Sequence, residues 1–324
     1  MKKIDLKDRR ILYELDINSR QSFRSIGRKV GLSKDIVALR VKKLKETGII
    51  KNFFTEINTF SLGYNVFRIY ITYQYASEEV KNEIIQHFIS YKNVWAIASS
   101  KGEIDLSIII WVDDNYEFYT FWNKTLDLFE DYFSRATISL YIEAREYKKS
   151  YLLLENFEKS NRELFRITCS KNKVKVDNID YKILNEIALN ARFSTVELAK
   201  KLNCSTQIIN NRFKNLIKNG IIKAFRVSID YSKLGVYHYR VYIYLKEHKK
   251  LNHIINYLED KPYLQCLNVT VGWGDIEPEF IVKNFDELSN IMEEINFKFP
   301  NVIKKYSFLI TDKYHIERWL PNLF

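Results

Sequence analysis

Residues that bend or break a backbone are scarce in this chain, with 9 Gly and 4 Pro among 324 residues. That scarcity excludes long flexible linkers and low-complexity tracts. Sulfur is equally sparse. Cys169, Cys204 and Cys266 are far apart, fit no CxxC or zinc-ligand spacing, and as an odd number cannot form a disulfide framework, so a reducing cytoplasm is the expected compartment. Long apolar runs are missing too. The stretch at residues 108–112 is much shorter than the roughly 20 residues of a membrane helix, which predicts no membrane partner. After Met1, Lys2 and Lys3, the charges of Asp5, Asp8, Arg9 and Arg10 interrupt any leader-like segment. The five histidines, His87, His238, His248, His253 and His315, form neither HxxxH nor HExxH, and no GxSxG or phosphate-cradling glycine loop occurs. No metal, no cofactor and no enzymatic activity are expected.

What the chain does hold is 46% hydrophobic and 15% aromatic residues, enough for several cores, and a formal net charge of +11. It also holds a repeat. At an offset of about 172 residues, Asp5 and Asp8 align with Asp177 and Asp180, Ile11-Leu12 with Ile183-Leu184, and Arg20 and Ser22 with Arg192 and Ser194. Gly48-Ile49-Ile50-Lys51 aligns with Gly220-Ile221-Ile222-Lys223, and Leu62-Gly63 with Leu234-Gly235. About a third of some 70 ungapped positions are identical, more than shared helix composition produces.

Each copy opens with three helical patterns. In the first, Gly31-Leu32-Ser33 separates the second pattern from the third, with glycine suited to a tight turn and Ser33 to an N-cap. In the second, Asn203-Cys204-Ser205 takes that place, asparagine being the usual substitute for a left-handed glycine. This is a helix-turn-helix, twice. In the third helix Val37, Val41 and Leu44 recur at i, i+4 and i+7, as do Ile209, Phe213 and Leu216, and these faces are expected to pack inward. Residues 49–57 and 221–229 have strand character and are expected to supply a wing in each copy. A strand-helix-strand-strand-helix-strand pattern then follows in both copies, the order of a ferredoxin-like unit. Pro278 within its third strand in the second copy predicts an edge or a bulge.

The fold expected is α+β, with two tandem copies of a winged helix-turn-helix followed by a ferredoxin-like βαββαβ domain. The divisions are 1–66 and 177–237 for the helical modules, 67–154 and 238–324 for the α/β modules, and 155–176 for a linker. Charge follows these divisions. Lys and Arg outnumber Asp and Glu by 15 to 7 in residues 1–66 and by 14 to 5 in residues 171–240, so the remainder of the chain is mildly acidic. Basic charge gathered beside groove-sized helices points to double-stranded DNA, whose condensed counterions are released by such contacts.

The pieces Asp5-x-x-Asp8-x-x-Ile11-Leu12, Asn18-Ser19-Arg20-Gln21-Ser22, Gly31-Leu32-Ser33, Arg40-Val41-x-x-Leu44 and Gly48-Ile49-Ile50 resemble the Lrp/AsnC, or feast/famine, regulators. The resemblance spans nearly the whole chain, twice. It implies a sequence-specific transcription regulator with an α/β effector-type domain, in which the third helices read DNA. The residues so implicated are Lys34, Asp35, Ala38, Leu39, Arg40, Lys42, Lys43 and Lys45 in the first copy. In the second they are Thr206, Gln207, Asn210, Asn211, Arg212, Lys214 and Lys218. For Arg40 and Arg212 a phosphate contact and a structural salt bridge are both open. The family's effector loop falls on Gly102, Glu103 and Asp105 and on Gly272, Gly274 and Asp275, where a small-molecule effector such as an amino acid would bind. Both loops depart from the common form, through Glu103 and the inserted Trp273, and a plain structural turn is the other reading. Family members usually carry one unit per chain and dimerise, which implies that the two halves here pair within one chain as a covalent pseudo-dimer, with other faces left for a higher homo-oligomer. Two alternatives stand beside this. One is an enzyme on the same fold, of the sirohaem decarboxylase kind. The other is an effector-binding scaffold that has lost DNA binding, although neither recognition face is acidic.

Overall fold

The computed structural model describes residues 4–156, 161–169 and 173–321, so Met1, Lys2, Lys3 and parts of the segment read as a linker lie outside the described residues. The sequence repeat appears as a repeated string of elements. In the first copy these are α1 (Leu6–Ile17), α2 (Phe23–Val30), α3 (Lys34–Glu46), β1 (Ile50–Ile57), α4 (Thr59–Leu62), β2 (Asn65–Tyr73), α5 (Glu78–Ser90), β3 (Val94–Gly102), β4 (Leu106–Val112), α6 (Asn115–Phe129) and β5 (Phe133–Tyr147). A further strand, β6 (Glu163–Thr168), follows. The second copy comprises α7 (Asn178–Ala188), α8 (Thr195–Lys201), α9 (Thr206–Lys218), β7 (Ile222–Ile229), α10 (Tyr231–Leu234), β8 (Tyr237–Leu245), α11 (Leu251–Glu259), β9 (Leu264–Val271), β10 (Glu277–Val282), α12 (Phe285–Lys298) and β11 (Ile303–Glu317). No helix among the described residues is long and apolar enough to cross a membrane.

Local chemistry sets the helix starts. Asp5 and Asp177 each accept from the amide three residues on, while Asp8 and Asp180 reach back to the cap amide, giving matched capping boxes. The turn before each third helix needs a left-handed residue, met by Gly31 (φ 67°) and by Asn203 (φ 52°).

Each α/β unit forms a four-stranded antiparallel sheet, in the order β5-β2-β4-β3 and β11-β8-β10-β9. The last strand of each is 15 residues long because it serves two sheets. β5 pairs with β2 over Phe133–Leu140 and then with β9 over Leu140–Glu146; β11 pairs with β8 over Ile303–Ile310 and then with β3 over Leu309–Glu317. The two sheets are therefore sewn together at both edges into a closed ring of eight strands, which removes every free edge except where β6 adds to the far end of β5. The segment expected to be only a linker thus contributes a sheet strand.

Helices α5 and α6 cover one outer face over Ile69, Ile84, Phe88, Ile108 and Trp122, and α11 and α12 cover the other over Val241, Ile254, Phe280, Leu288 and Ile295. Alternate residues point into the ring. There Tyr70 meets Tyr242 edge-on at 5.5 Å, and Arg68 pairs with Glu277 of the other half. Pro278 sits beside them. β10 lies between β8 and β9 and is no edge, but its ladder to β8 covers only Glu279–Val282 and its register to β9 shifts between Glu279 and Phe280. The bulge reading holds, because proline has no N–H to give the ladder.

The wings differ from expectation. β1 and β7 do not each form a wing within their own copy but pair with one another as a two-stranded antiparallel sheet. A single strand leaves its backbone groups unpaired, and the equivalent strand of the other copy is the available partner. Each strand also completes the other copy's core: Val227 and Ile229 pack with Ile11, Leu12 and Leu15, and Ile57 packs with Ile183, Leu184 and Ile187. Two arginines are exchanged across this junction. Arg20 donates to the Ala191 and Phe193 carbonyls at 2.6 and 2.8 Å, and Arg192 donates to those of Ser19 and Gln21. Each guanidinium also lies over an aromatic ring of the other copy, Arg20 at 4.9 Å from Phe213 and Arg192 at 4.6 Å from Phe23.

Replacing Arg20 or Arg192 with alanine strips charge-assisted bonds from two carbonyls each, and is expected to lower unfolding free energy by about 1 to 3 kcal/mol. Chemical denaturation of the full chain measures this. A loss within error of zero for both variants would mean that water replaces the arginines without cost.

Candidate nucleic-acid interface

Helices α3 and α9 begin alike, with Ser33 accepting from the Ile36 amide at 3.3 Å and Ser205 from the Ile208 amide at 3.2 Å. Their apolar faces are buried as the spacing requires: Val37, Val41 and Leu44 in one, and Ile209, Phe213 and Leu216 in the other. The opposite faces stand free of the protein. Lys34, Asp35, Leu39, Lys42, Lys43 and Lys45 are exposed on α3, while Ala38 is half-buried beside Phe23, Val41 and Phe53. Thr206, Gln207, Asn210, Asn211, Lys214 and Lys218 are exposed on α9. Lys42 faces Glu46 at 3.8 Å with both groups largely in water, an attraction too weak to hold it from another partner. The polar face of α9 is richer in amides. Gln207 and Asn211 lie one turn apart, 3.4 Å between their side chains, a spacing suited to presenting both to base edges.

Of the two readings open for Arg40 and Arg212, the structure shows the ion pairs. Arg40 bridges Asp5 at 2.7 Å and Asp8 at 2.8 Å, and Arg212 does the same with Asp177 and with Asp180 at 3.1 Å. The physical reason is proximity: the capping box of the first helix places two carboxylates opposite the middle of the third. Each arginine therefore locks the recognition helix onto its module.

The two glycine-containing loops are tightly constrained. Gly102 has φ 132° and a side chain there would fall 2.7 Å from the Phe308 carbonyl; Gly272 has φ 113° and would meet the Ile138 carbonyl at 2.5 Å. Both glycines let the seam strands cross closely. Asp105 accepts from the Tyr73 amide at 2.8 Å and Asp275 from the Leu245 amide at 2.7 Å, while Glu103 pairs with Arg135 at 2.9 Å. A side chain at Gly274 would press on Tyr242 at 3.3 Å. Of the residues expected to hold an effector, Gly102 and Gly272 are thus confined by the seams and Gly274 by Tyr242, while Glu103, Asp105 and Asp275 have partners within their own units.

A second set of residues escaped the sequence reading. Arg226 of β7 is buried between Asp16 of α1, at 3.0 Å, and Glu146 of β5, with Lys149 3.1 Å from the same aspartate. This cluster ties the helical layer to the strand ring. Its signal lay in Asp16 beside Leu12 and Leu15 and in Arg226 inside an apolar strand, charges on faces that should be apolar.

The Asp180 amide and the Arg212 guanidinium hold the Asp177 carboxyl below its ordinary range. A depressed carboxylate contributes stability that is present above its unfolded value and lost as pH falls through the folded one. Arg212→Met is therefore expected to lower the melting temperature at pH 7, with the gap to the parent narrowing below about pH 4. A gap equally large at pH 3 would point to lost packing instead.

An AsnC-type helix-turn-helix domain model matches residues 4–45, and a winged helix-turn-helix DNA-binding model matches residues 176–223. An uncharacterised HTH-type transcriptional regulator of Pyrococcus furiosus is 35% identical over 104 residues, covering 32% of this chain and 70% of that protein. The HTH-type transcriptional regulator LrpA of Pyrococcus horikoshii is 32% identical over 111 residues, covering 34% of this chain and 77% of LrpA. Among solved structures, the siroheme decarboxylase NirDL superposes with a TM-score of 0.64 over 99% of this chain and 95% of its own, at 12% identity, a likeness of fold alone. Carrying two helix-turn-helix domains, and matching most of the length of each of these regulators with about a third of its own, the chain belongs to the Lrp/AsnC family of helix-turn-helix regulators.

Proposed function

We propose that this protein is a sequence-specific DNA-binding transcription regulator, and not an enzyme, that presents α3 and α9 of one chain to successive major grooves. The observation that carries this is the pair of capped helices whose outward faces are mostly polar or basic, with Ile36, Leu39, Ile208 and Ile217 the exposed apolar exceptions, on modules that hold the chain's excess positive charge. The named relatives, HTH-type transcriptional regulators, support the same reading. The lysines supply phosphate contacts, and Asp35, Ala38, Leu39, Gln207, Asn210 and Asn211 supply base contacts. In this reading the α/β ring fixes the spacing of the two helices, a role played by dimerisation where each chain has one helix.

A decarboxylase on this fold would need a seat for a tetrapyrrole. The enclosed cavity between the helical layer and the ring measures about 160 Å³, close to the 150 Å³ known to hold a benzene and far too small for a macrocycle. A wider cleft of about 600 Å³, beside Phe23, Phe53 and Arg192, lies on the helical layer instead. Purified protein is accordingly expected to show no Soret absorbance.

Lys42→Ala and Lys214→Ala are each expected to weaken binding to all duplexes alike and to reduce the salt slope by about one, as the loss of one phosphate contact does. Affinity measured against salt concentration reports this, and unchanged slopes in both variants would remove these lysines from the interface.

Duplication also frees the two helices to read different sequences. Asn and Gln on α9 favour adenine, whereas Asp35, Ala38 and Leu39 on α3 suit a cytosine amine or a thymine methyl. Selection from random duplexes is expected to return an asymmetric site, and Gln207, Asn210 and Asn211 changed together to alanine should blur only one half. A palindrome from the parent protein would contradict this.

A further inference from the structure

We propose that the cavity between the wing strands and the strand ring binds a small organic amine, whose ammonium group is received by Glu56 and Glu317. The cavity is roofed by β1 and β7 and floored by the ring, and it opens beside the exposed Lys51.

Four cationic side chains reach this space from the interior, and each already has an anionic partner. Arg68 has Glu277, Arg226 has Asp16 and Glu146, Lys149 has Asp16 at 3.1 Å, and Arg240 has Glu279 at 3.2 Å. Glu56 and Glu317 are left over, with only the exposed Lys51 acting on Glu317 from the rim. Both line the cavity, and neither carboxylate makes a hydrogen bond or ion pair with any described residue. Glu56 is only 6% exposed. An unmatched carboxylate at that depth is costly and is relieved either by a proton or by a cation. An anion would find no unpaired partner inside, only Lys51 at the rim.

The walls suit the rest of such a ligand. Trp319 stacks on Phe54 at 3.9 Å and meets Trp95 at 6.5 Å, so aromatic faces stand beside the two carboxylates. Ring faces attract an ammonium and pack against its apolar body. The indole nitrogen of Trp319 is itself buried without an acceptor. About 160 Å³ accommodates roughly six to ten heavy atoms, by comparison with benzene in a cavity of similar size.

Titration agrees with the geometry. Burial and the carboxylates of Glu146 on β5 and Glu317 on β11 push Glu56 up to about 8, against the pull of Arg226 on β7 and of Lys149. Burial likewise raises Glu317, against Lys51, Arg240 and Lys149. Near neutral pH, taking up a cation should therefore expel a proton from Glu56. This site stands whether or not the chain binds DNA, because it rests on the cavity and not on α3 or α9.

The test is calorimetry of the full chain with putrescine and with phenethylamine, using hexanoate as the anionic control. Amine binding is expected, with affinity rising about tenfold from pH 6.5 to 7.5 and levelling above pH 8, as release of one proton requires. The heat should also vary with the ionisation enthalpy of the buffer. Glu56→Gln and Glu317→Gln should each weaken binding at least tenfold, and Glu56→Gln should abolish the pH dependence while its circular dichroism matches the parent's. No binding of either amine at millimolar concentration, binding of hexanoate instead, or variants that bind like the parent would overturn the proposal. Should a variant fold poorly, pH-independent binding by the parent alone would overturn it equally.

Discussion

Closure of the strand ring is the constraint on which the rest of this structure depends. Two seams, β3 with β11 and β5 with β9, join sheets that would otherwise end in open edges, and they fix the two halves of the chain against each other. Because the sheets face one another, every second residue on the inner strands is sealed from water. Arg68, Arg240, Glu277 and Glu279 lie there, each 7% exposed or less, and they persist because they are paired across or within the halves. The glycines at the seams follow from the same closure, since strands that cross so closely leave no room for a side chain at 102 or 272.

The ring does not stand alone. Arg226 reaches from the β1–β7 sheet to Asp16 of the first helix and to Glu146 of the ring, so the helical layer and the strand layer share one buried ion cluster. Above it, the crossed arginines Arg20 and Arg192 hold the two helix-turn-helix modules together. The recognition helices are then fixed twice: to their own modules by Arg40 and Arg212, and to each other through the exchanged strands. Under the function proposed above, this rigid pair of unlike helices on one chain would be the physical basis for reading two unlike half-sites.

Much of this was legible in the sequence where the determinants are local. The capping aspartates, the turn at Gly31 and Asn203 and the apolar stripes of α3 and α9 are short-range signals, and the structure places them as read. The repeat itself implied two equivalent units. What could not be read depends on which distant strand becomes a neighbour. Residues 50–57 look like a wing in either copy, and nothing local says that their partner is 172 positions away. Arg40 was ambiguous for the same reason, since its partners Asp5 and Asp8 are distant in sequence and adjacent only after folding. Glu163–Thr168 pass for a linker until β5 proves long enough to offer them an edge.

The central claim is that one chain does alone what two single-unit chains do together. Native mass spectrometry of the full chain on the shortest duplex that it protects tests this directly. One chain per duplex, with a footprint of two half-sites about one helical turn or a multiple apart, is the predicted result. Two chains required on that same minimal duplex would contradict it.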